Sequence, residues 1–363
     1  MNTNDLLRMR LRAQLISGSS AATPREVVAH LLAMQAQDYA GATWAIGLRL
    51  PGSSLADIER ALAERTLVRT WPMRGTLHFV AAEDVRWLLA LLAPRVLARA
   101  ARREQQLSLD DTTFKRAREL FSAALNGGRS LKRPDAMAML EAGGVATGGQ
   151  RGYHILWRLS QEGLLVVGPM EDRQQTFALL DEWLPLGRAD AVPVSALREE
   201  ALARLATRYF AGHGPATVND LARWADVTKS DARMALEAAS ASLESAEHDG
   251  ERYWFASGAT WASGEDGVHL LPGFDEYMLG YTGRSHQLGD HLATYGSRVA
   301  SNGMLAPTIV VDGRAVGVWR RTLTTRTVAF EMTPFERLGK NQRAAIVAEQ
   351  ERYARFVGRE VAN

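Results

Sequence analysis

The sequence predicts an α+β protein, mainly helical, in which three tandem winged-helix units precede a C-terminal β-rich module. Two observations support this fold class. The order of three helices and a β-hairpin occurs three times along the chain, and that order is typical of a helix-turn-helix with an added wing. After the third hairpin, apolar and polar residues alternate, which is typical of half-buried strands.

The first unit, with the connector helix that follows it, is predicted over residues 1–105. Its helices are expected over residues 3–17, 24–35 and 54–66. Thr23 as N-cap, Pro24 at the first helical position and Glu26 three residues after the cap mark the start of the second helix. The hairpin is predicted over 67–80 around a tight turn at Met73, Arg74 and Gly75, and the long connector helix over 82–106.

The second and third units, predicted over 106–185 and 186–258, repeat this order. The expected helices cover 110–128, 132–144 and 150–163, then 195–214, 217–226 and 228–240. The hairpins are expected over 164–180 and 243–255, the second with a type I′ turn at Asp249-Gly250. The glycine-rich stretch GGVATGGQRG lacks the Gly-Lys-Ser/Thr ending of a phosphate-binding loop and is interpreted as a turn.

The last part of the chain, residues 259–363, forms the β-rich module. Alternation over 307–332 around Asp312-Gly313 and Thr324-Thr325 predicts a β-meander within a small barrel or sheet. A final helix is expected over 341–358. Together these elements complete the predicted architecture.

Composition excludes several classes. The 363 residues are 46% hydrophobic and 23% charged, and no apolar run is long enough to span a membrane. The N-terminus is amphipathic, which does not support a signal peptide. There is no cysteine, so disulfides, thiolate metal sites and cysteine nucleophiles are excluded, which fits the cytoplasm. A nucleoid-associated monomer without a membrane partner is expected as well.

The basic residues are almost all arginine. Only four of the 43 are lysines, Lys115, Lys132, Lys229 and Lys340, and the formal net charge is +2. Arginine suits bidentate phosphate contacts. A GC-rich genome, whose codons favour arginine, explains the same excess, so the composition alone does not indicate DNA binding.

The segment LLAMQAQDYAG, residues 31–41, places Gln35 and Gln37 at an apolar junction. Each buried primary amide needs partners for two N–H donors and a carbonyl, so this choice requires an explanation. In a helix, residues i and i+2 point to nearly opposite sides, whereas in an extended segment they point the same way. The two amides therefore act together only if the helix ends near Met34. Capping of the helix end is the structural alternative to a chemical role.

Four stretches of the chain resemble one family. VVAHLLAMQAQD, LVRTWPMRGTLHFV, LLPGFDEYMLGY and VVDGRAVGVWRR are similar, in this order, to AlkZ/YcaQ-type winged-helix DNA glycosylases. The resemblance implies a concave DNA-binding face, removal of N-alkylated purines and, in several members, unhooking of interstrand crosslinks. It assigns the catalytic pair to Gln35 and Gln37. One branch has Asp at the second position, so Gln37 places this chain in the AlkZ-like branch.

The chemistry that the resemblance implies is coherent with two amides. Cleavage of an N-glycosidic bond passes through an oxocarbenium-like sugar. An N7-alkylguanine or N3-alkyladenine is cationic and leaves as a neutral base, so no general acid is needed. The amides then have to hold a water under C1′ and stabilise positive charge with their carbonyl dipoles. No cofactor is required, and unmodified purines should be spared.

Four polar residues of the first hairpin are expected on the same surface. Arg69, Arg74 and Thr76 are interpreted as DNA-phosphate or framework contacts, and His78 as a supporting residue. The alternative for Arg74-Gly75 is turn chemistry with an exposed Arg74, and His78 is more readily a satisfied structural histidine than a catalytic one. Asp38 is either a helix cap or a carboxylate that orients the water, and the cap is the simpler interpretation.

Two further features are considered and set aside. Asp275 and Glu276 could bind a metal, but no histidine lies at a ligand spacing beside them, and no metal is predicted. A lyase would need an amine nucleophile, and no lysine lies in the first unit, so a monofunctional glycosylase is expected, with the N-terminal amine as the alternative nucleophile for a lyase.

The predicted partner is double-stranded DNA that carries alkylated or crosslinked purines. Two other classes of protein share these features: a non-catalytic winged-helix DNA-binding regulator, and a scaffold that docks proteins. Neither requires both Gln35 and Gln37. The physiological lesion, and whether the protein serves general repair or self-resistance to a genotoxic natural product, stay open at this point.

Overall fold

The computed structural model describes residues 1–172, 174–185, 198–259, 267–298 and 305–362, and its elements confirm the α+β class. The helices of the first unit are α1 (Thr3–Ala13), α2 (Pro24–Leu31), α3 (Tyr39–Arg49) and α4 (Leu55–Ala63). Its strands are β1 (Met34–Gln35), β2 (Leu67–Met73) and β3 (Thr76–Ala81). A short 3₁₀ turn leads into the connector helix α5 (Val85–Gln106).

The first unit differs from the prediction at α2 and α3. α2 ends at Leu31 rather than at residue 35, because Leu32 adopts a φ of 71°, outside the right-handed helical region. α3 was not predicted. Residues 41–49 of this helix are all buried, so its sequence carries no polar face and no amphipathic period that would reveal it.

The second unit contains β4 (Leu131–Lys132), β5 (Leu165–Glu171) and β6 (Gln174–Leu179), with helices α6 (Asp111–Leu125), α7 (Arg133–Ala142), α8 (Arg151–Gln161) and α9 (Leu180–Trp183). The third contains α10 (Arg198–His213), α11 (Val218–Ala225), α12 (Lys229–Ala239), β7 (Leu243–His248) and β8 (Glu251–Ala256). Residues 195–197 of the predicted helix over 195–214 lie outside the described residues, as does the segment at the predicted boundary between these units. Asp249 and Gly250 have φ values of 50° and 76°, as the type I′ turn requires.

The C-terminal module contains β9 (Val268–Leu271), α13 (Glu276–Leu279), α14 (Ser285–Leu288), α15 (Leu292–Arg298), β10 (Thr308–Val311), β11 (Arg314–Leu323), β12 (Thr327–Pro334), α16 (Lys340–Phe356) and β13 (Glu360–Val361). Its strands form a sheet in the order β13-β12-β11-β10-β9, antiparallel except for the parallel pair β12 and β13. The predicted meander is therefore part of a sheet, with β9 and β13 as unpredicted edge strands. Among the described residues, no helix combines the length and apolarity needed to cross a membrane.

A second sheet joins the first two units. Its six strands run in the order β1-β3-β2-β5-β6-β4, and the two hairpins meet through Arg69 and Val167. Among the described strands, β1 lies at the edge of this sheet and pairs with β3 alone. The edge position leaves one side of β1 open to contacts from outside the sheet.

Two apolar cores meet at the segment that carries the glutamines. Met34 and Ala36 are buried in a core that the first unit shares with the C-terminal module, including Trp319 of β11. Leu32 and Ala33 are buried in a different core that includes Trp224 of α11 in the third unit. The chain passes from one core to the other within residues 32–36, which anchors this segment on both sides.

Candidate active site

Gln35 and Gln37 project together from the extended segment that follows α2. β1 pairs with β3 in the register Met34 with Phe79 and Gln35 with His78. Gln35 Nε2 donates a hydrogen bond to Gln37 Oε1 at 3.0 Å, while the side chain of Ala36, on the opposite face, is fully buried. The expected pairing of the amides is confirmed, although the helix ends earlier than predicted.

Three residues of other segments hold the backbone of Gln35 and Ala36 by hydrogen bonds. The Ala36 N–H donates to the carbonyl of Leu77 at 2.7 Å. The Ala36 carbonyl accepts from Nε and Nη2 of Arg69 at 3.0 and 2.6 Å. On the open side of β1, the Gln35 N–H donates to Oε1 of Glu276 at 3.0 Å. The segment is therefore fixed by its neighbours rather than by a helix.

Arg69 supports this segment from inside the protein. Its side chain is 7% exposed, and its guanidinium lies over the Tyr39 ring, 5.5 Å from the ring centre. Burial lowers the pKa of Arg69 to about 10, so the group stays charged at neutral pH. Of the two interpretations given to Arg69, a DNA-phosphate contact or a framework contact, these contacts support the framework role.

Arg74 and His78 form an internal pair at the hairpin turn. Arg74, at a φ of 55°, donates to the Trp224 carbonyl at 2.7 Å and to His78 Nε2 at 2.9 Å. His78 Nδ1 donates to the carbonyl of Thr76 at 2.8 Å. Burial, together with the charge of Arg74, lowers the pKa of His78 to about 3. Arg74 therefore links the first unit to the third instead of contacting phosphate from an exposed turn, and His78 is neutral.

For Thr76 and Asp38 the structure contradicts one of the two interpretations. The Thr76 hydroxyl oxygen is buried, which does not suit a DNA-phosphate contact, and it has no hydrogen-bond partner among the described residues. Asp38 stands at the N-cap position of α3, but its side chain makes no capping hydrogen bond. That side chain is 46% exposed, and its Oδ2 lies 3.8 Å from Nη2 of Arg321. Capping is therefore not its role.

Glu276 also belongs to this site, in a role other than the metal ligand that was considered and set aside from the sequence. Its carboxylate is 1% exposed, and Oε2 accepts from the indole Nε1 of Trp224 at 2.8 Å and lies 3.6 Å from His213 Nε2. Burial alone would raise its pKa, but His213 and the charge of Arg74 outweigh burial and hold the pKa at about 2. In the sequence, two adjacent acidic residues within the apolar stretch GFDEYML indicate buried carboxylates that need partners.

Asp275, its neighbour, has a separate structural role. Both of its oxygens accept from Arg49 at 2.8 Å, and both side chains are fully buried. In the described part of the chain, the group of acid and histidine side chains close enough to share a metal ion is His248, Asp249 and His286. Asp275 and Glu276 do not belong to it.

Acid should destabilise the protein through His78. The unfolded chain binds a proton as the pH falls through the ordinary histidine value of 6.5, whereas folded His78 binds one only near pH 3. The free energy of unfolding should therefore decrease on acidification between these values, by about 1.4 kcal/mol per pH unit once the unfolded histidine is protonated. Urea unfolding at several pH values measures this slope. His78→Asn should have a shallower slope, and an unchanged slope would contradict the assignment.

Comparison with known proteins assigns the chain to a family. The family model described as DNA glycosylase AlkZ-like matches residues 28–356. An interstrand DNA cross-link repair glycosylase of Streptomyces sahachiroi is 25% identical over 331 residues, 85% of each chain. The structure of the Streptomyces sahachiroi DNA glycosylase AlkZ superposes with a TM-score of 0.80 at 23% identity, covering 100% of this chain and 99% of that one. The chain therefore belongs to the AlkZ-like DNA glycosylase family and is an enzyme that acts on N-glycosyl bonds.

Proposed function

We propose that this enzyme hydrolyses the N-glycosidic bond of cationic N-alkylated purines in double-stranded DNA, N7-alkylguanine and N3-alkyladenine above all. The observation that carries the proposal is the hydrogen-bonded pair of Gln35 and Gln37 on a rigid segment. The proposal extends to unhooking of interstrand crosslinks, because the curated relative from Streptomyces sahachiroi is named for crosslink repair. Its setting is DNA repair or self-resistance to a genotoxic natural product.

The hydrogen bond between the amides leaves complementary groups for the reaction. Gln35 donates from Nε2 to Oε1 of Gln37. The other two amide groups, the carbonyl oxygen of Gln35 and the Nε2 group of Gln37, have no protein hydrogen-bond partner among the described residues. The free carbonyl can accept a hydrogen bond from a water whose lone pair faces C1′ of the sugar. The same dipole stabilises the positive charge that develops on the sugar.

The surroundings of the pair favour a substrate that is already charged. At neutral pH His78, with a pKa of about 3, is a neutral imidazole, and Glu276, with a pKa of about 2, is a carboxylate, so neither is an acid that can protonate a departing base. The leaving base must then be activated in advance. Alkylation at N7 or N3 supplies this activation, because the cationic purine departs as a neutral base.

The reaction is proposed to stop at the abasic site. A lyase needs an amine that attacks C1′, and the four lysines lie on α6, β4, α12 and α16 rather than in the first unit. Lys132 is further engaged by Asp172 at 2.6 Å. The enzyme is proposed to act as a monomer on duplex DNA, through arginines other than Arg69 and Arg74.

The test is incubation with a duplex oligonucleotide that contains one N7-methylguanine. We expect free 7-methylguanine, detected by chromatography with mass spectrometry, and an intact strand until alkali cleaves the abasic site. Borohydride should trap no covalent complex with DNA. Duplex binding without base release would instead favour the regulator alternative, and a trapped complex would contradict the monofunctional mechanism.

A further inference from the structure

We propose that Glu276 is a positioning residue for the reaction, which holds the paired amides in place through the backbone N–H of Gln35. This role rests on the proposed function of Gln35 and Gln37. The two oxygens of Glu276 accept from the Gln35 backbone N–H and from the Trp224 indole, so its proposed action is through Gln35 and not on the reacting atoms.

The Gln35 N–H needs a hydrogen-bond partner from outside the sheet, because β1 lies at the sheet edge. Among the described strands, β1 pairs with β3 on one side and with no strand on the other. The next N–H, of Ala36, points toward the sheet and donates to the Leu77 carbonyl. The Gln35 N–H points to the open side, where it would lack a partner, and the Glu276 carboxylate occupies the position of a neighbouring strand at 3.0 Å.

The charge of Glu276 makes the contact strong. Its carboxylate stays anionic at neutral pH, and a hydrogen bond to an ionised acceptor is roughly twice as strong as one between neutral groups. The second oxygen accepts from the Trp224 indole, and the preceding residue, Asp275, accepts hydrogen bonds from Arg49. Glu276 is therefore itself immobile, which a positioning residue must be.

The same carboxylate connects the amide pair to two other parts of the chain. Glu276 begins α13 of the C-terminal module, and Trp224 belongs to α11 of the third unit. Arg74 links Trp224 to the first unit, because it donates to the Trp224 carbonyl and to His78 of β3. Glu276 thus connects the Gln35 backbone to residues that lie far apart in the sequence.

The test compares Glu276→Gln with a matched control, Asp84→Asn. Asp84 is also a fully buried carboxylate that accepts from an indole, Trp87 Nε1 at 2.8 Å, and from an arginine, Arg204, at 2.9 Å. Both variants should lower the melting temperature. At saturating enzyme and well below both melting temperatures, only Glu276→Gln should slow release of 7-methylguanine, by about 10- to 100-fold. Its Kd for lesion DNA should change less than about 2-fold, since the proposed effect is on the reaction step.

A second variant and an activity-independent measurement complete the test. Trp224→Phe removes one hydrogen bond from Glu276. It should slow the release of 7-methylguanine by a smaller factor than Glu276→Gln does. With ¹⁵N-labelled glutamine, amide hydrogen exchange at Gln35 should be faster in Glu276→Gln than in the wild-type protein or Asp84→Asn.

The outcomes separate this inference from the proposed function. Equal release rates and equal Gln35 exchange in Glu276→Gln and Asp84→Asn would overturn the role of Glu276. A wild-type protein that releases no 7-methylguanine would overturn the proposed function, and the exchange at Gln35 would still decide whether Glu276 holds the segment.

Discussion

Replacing Gln35 or Gln37 by alanine is expected to slow the release of N7-alkylguanine by about 100- to 1,000-fold, the range found for removal of one oriented group from a reaction centre. Each amide holds the other through the 3.0 Å hydrogen bond, so either substitution leaves the water without its full set of contacts. The backbone contacts of the segment do not involve the truncated atoms. Folding and DNA binding should therefore stay close to wild type.

The measurement is single-turnover release of 7-methylguanine, with melting temperature and DNA affinity recorded for each variant. Gln105→Ala is the matched control, because Gln105 is an exposed glutamine near the end of α5, outside the segment. It should release base at the wild-type rate. If both Gln35→Ala and Gln37→Ala also did so, the assignment of the catalytic pair would be wrong.

Selectivity for cationic lesions is the second large effect that we expect. Duplexes with N7-methylguanine or N3-methyladenine should yield free base, and crosslinks tethered through N7 should be unhooked. Uracil and 8-oxoguanine are neutral and depart as anions unless an acid protonates them. The buried groups next to the pair, His78 and Glu276, have pKa values of about 3 and 2, too low to serve as that acid at neutral pH.

A panel of defined lesions at equal enzyme concentration measures this selectivity. We expect no release of uracil or 8-oxoguanine above the enzyme-free background. Release of cationic bases should change little between pH 6 and 8, because neither His78 nor Glu276 titrates in this range. Efficient uracil excision would contradict the argument from leaving-group charge.

Local sequence patterns were sufficient to predict much of the architecture. Pro24 after Thr23 marks the start of α2, and Asp249-Gly250 marks the turn of the third hairpin, because both signals act through backbone preferences of adjacent residues. The spacing of Gln35 and Gln37 also predicted how their side chains are arranged. Two amides separated by one residue share a face only in an extended chain, and the chain is extended there.

The end of α2 could not be predicted from periodicity. Leu32 and Met34 continue the apolar pattern of the helix, yet they are buried in two different cores. α3 was missed for the opposite reason, because residues 41–49 are buried on every side and show no amphipathic period. In both cases burial by distant segments, rather than local preference, determines the structure.

The support of the candidate site depends on contacts between residues far apart in the chain. Arg69 and Arg74 were interpreted as DNA-phosphate or framework contacts because their hairpin was expected to face the DNA-binding surface, but backbone carbonyls of the protein bind both groups. Glu276 is 241 residues from Gln35. A single sequence does not indicate that a buried carboxylate meets the open edge of β1, since that contact arises only when the C-terminal module packs against the first unit.

A double-mutant cycle tests the central claim, that Gln35 and Gln37 act as one unit on a cationic purine. Release of 7-methylguanine is measured at saturating enzyme for the wild-type protein, Gln35→Ala, Gln37→Ala and the double variant. Because each amide depends on the other, we expect the double variant to be no more than about 3-fold slower than the slower single variant. Losses that multiply would show two independent contributions, and they would contradict the paired mechanism.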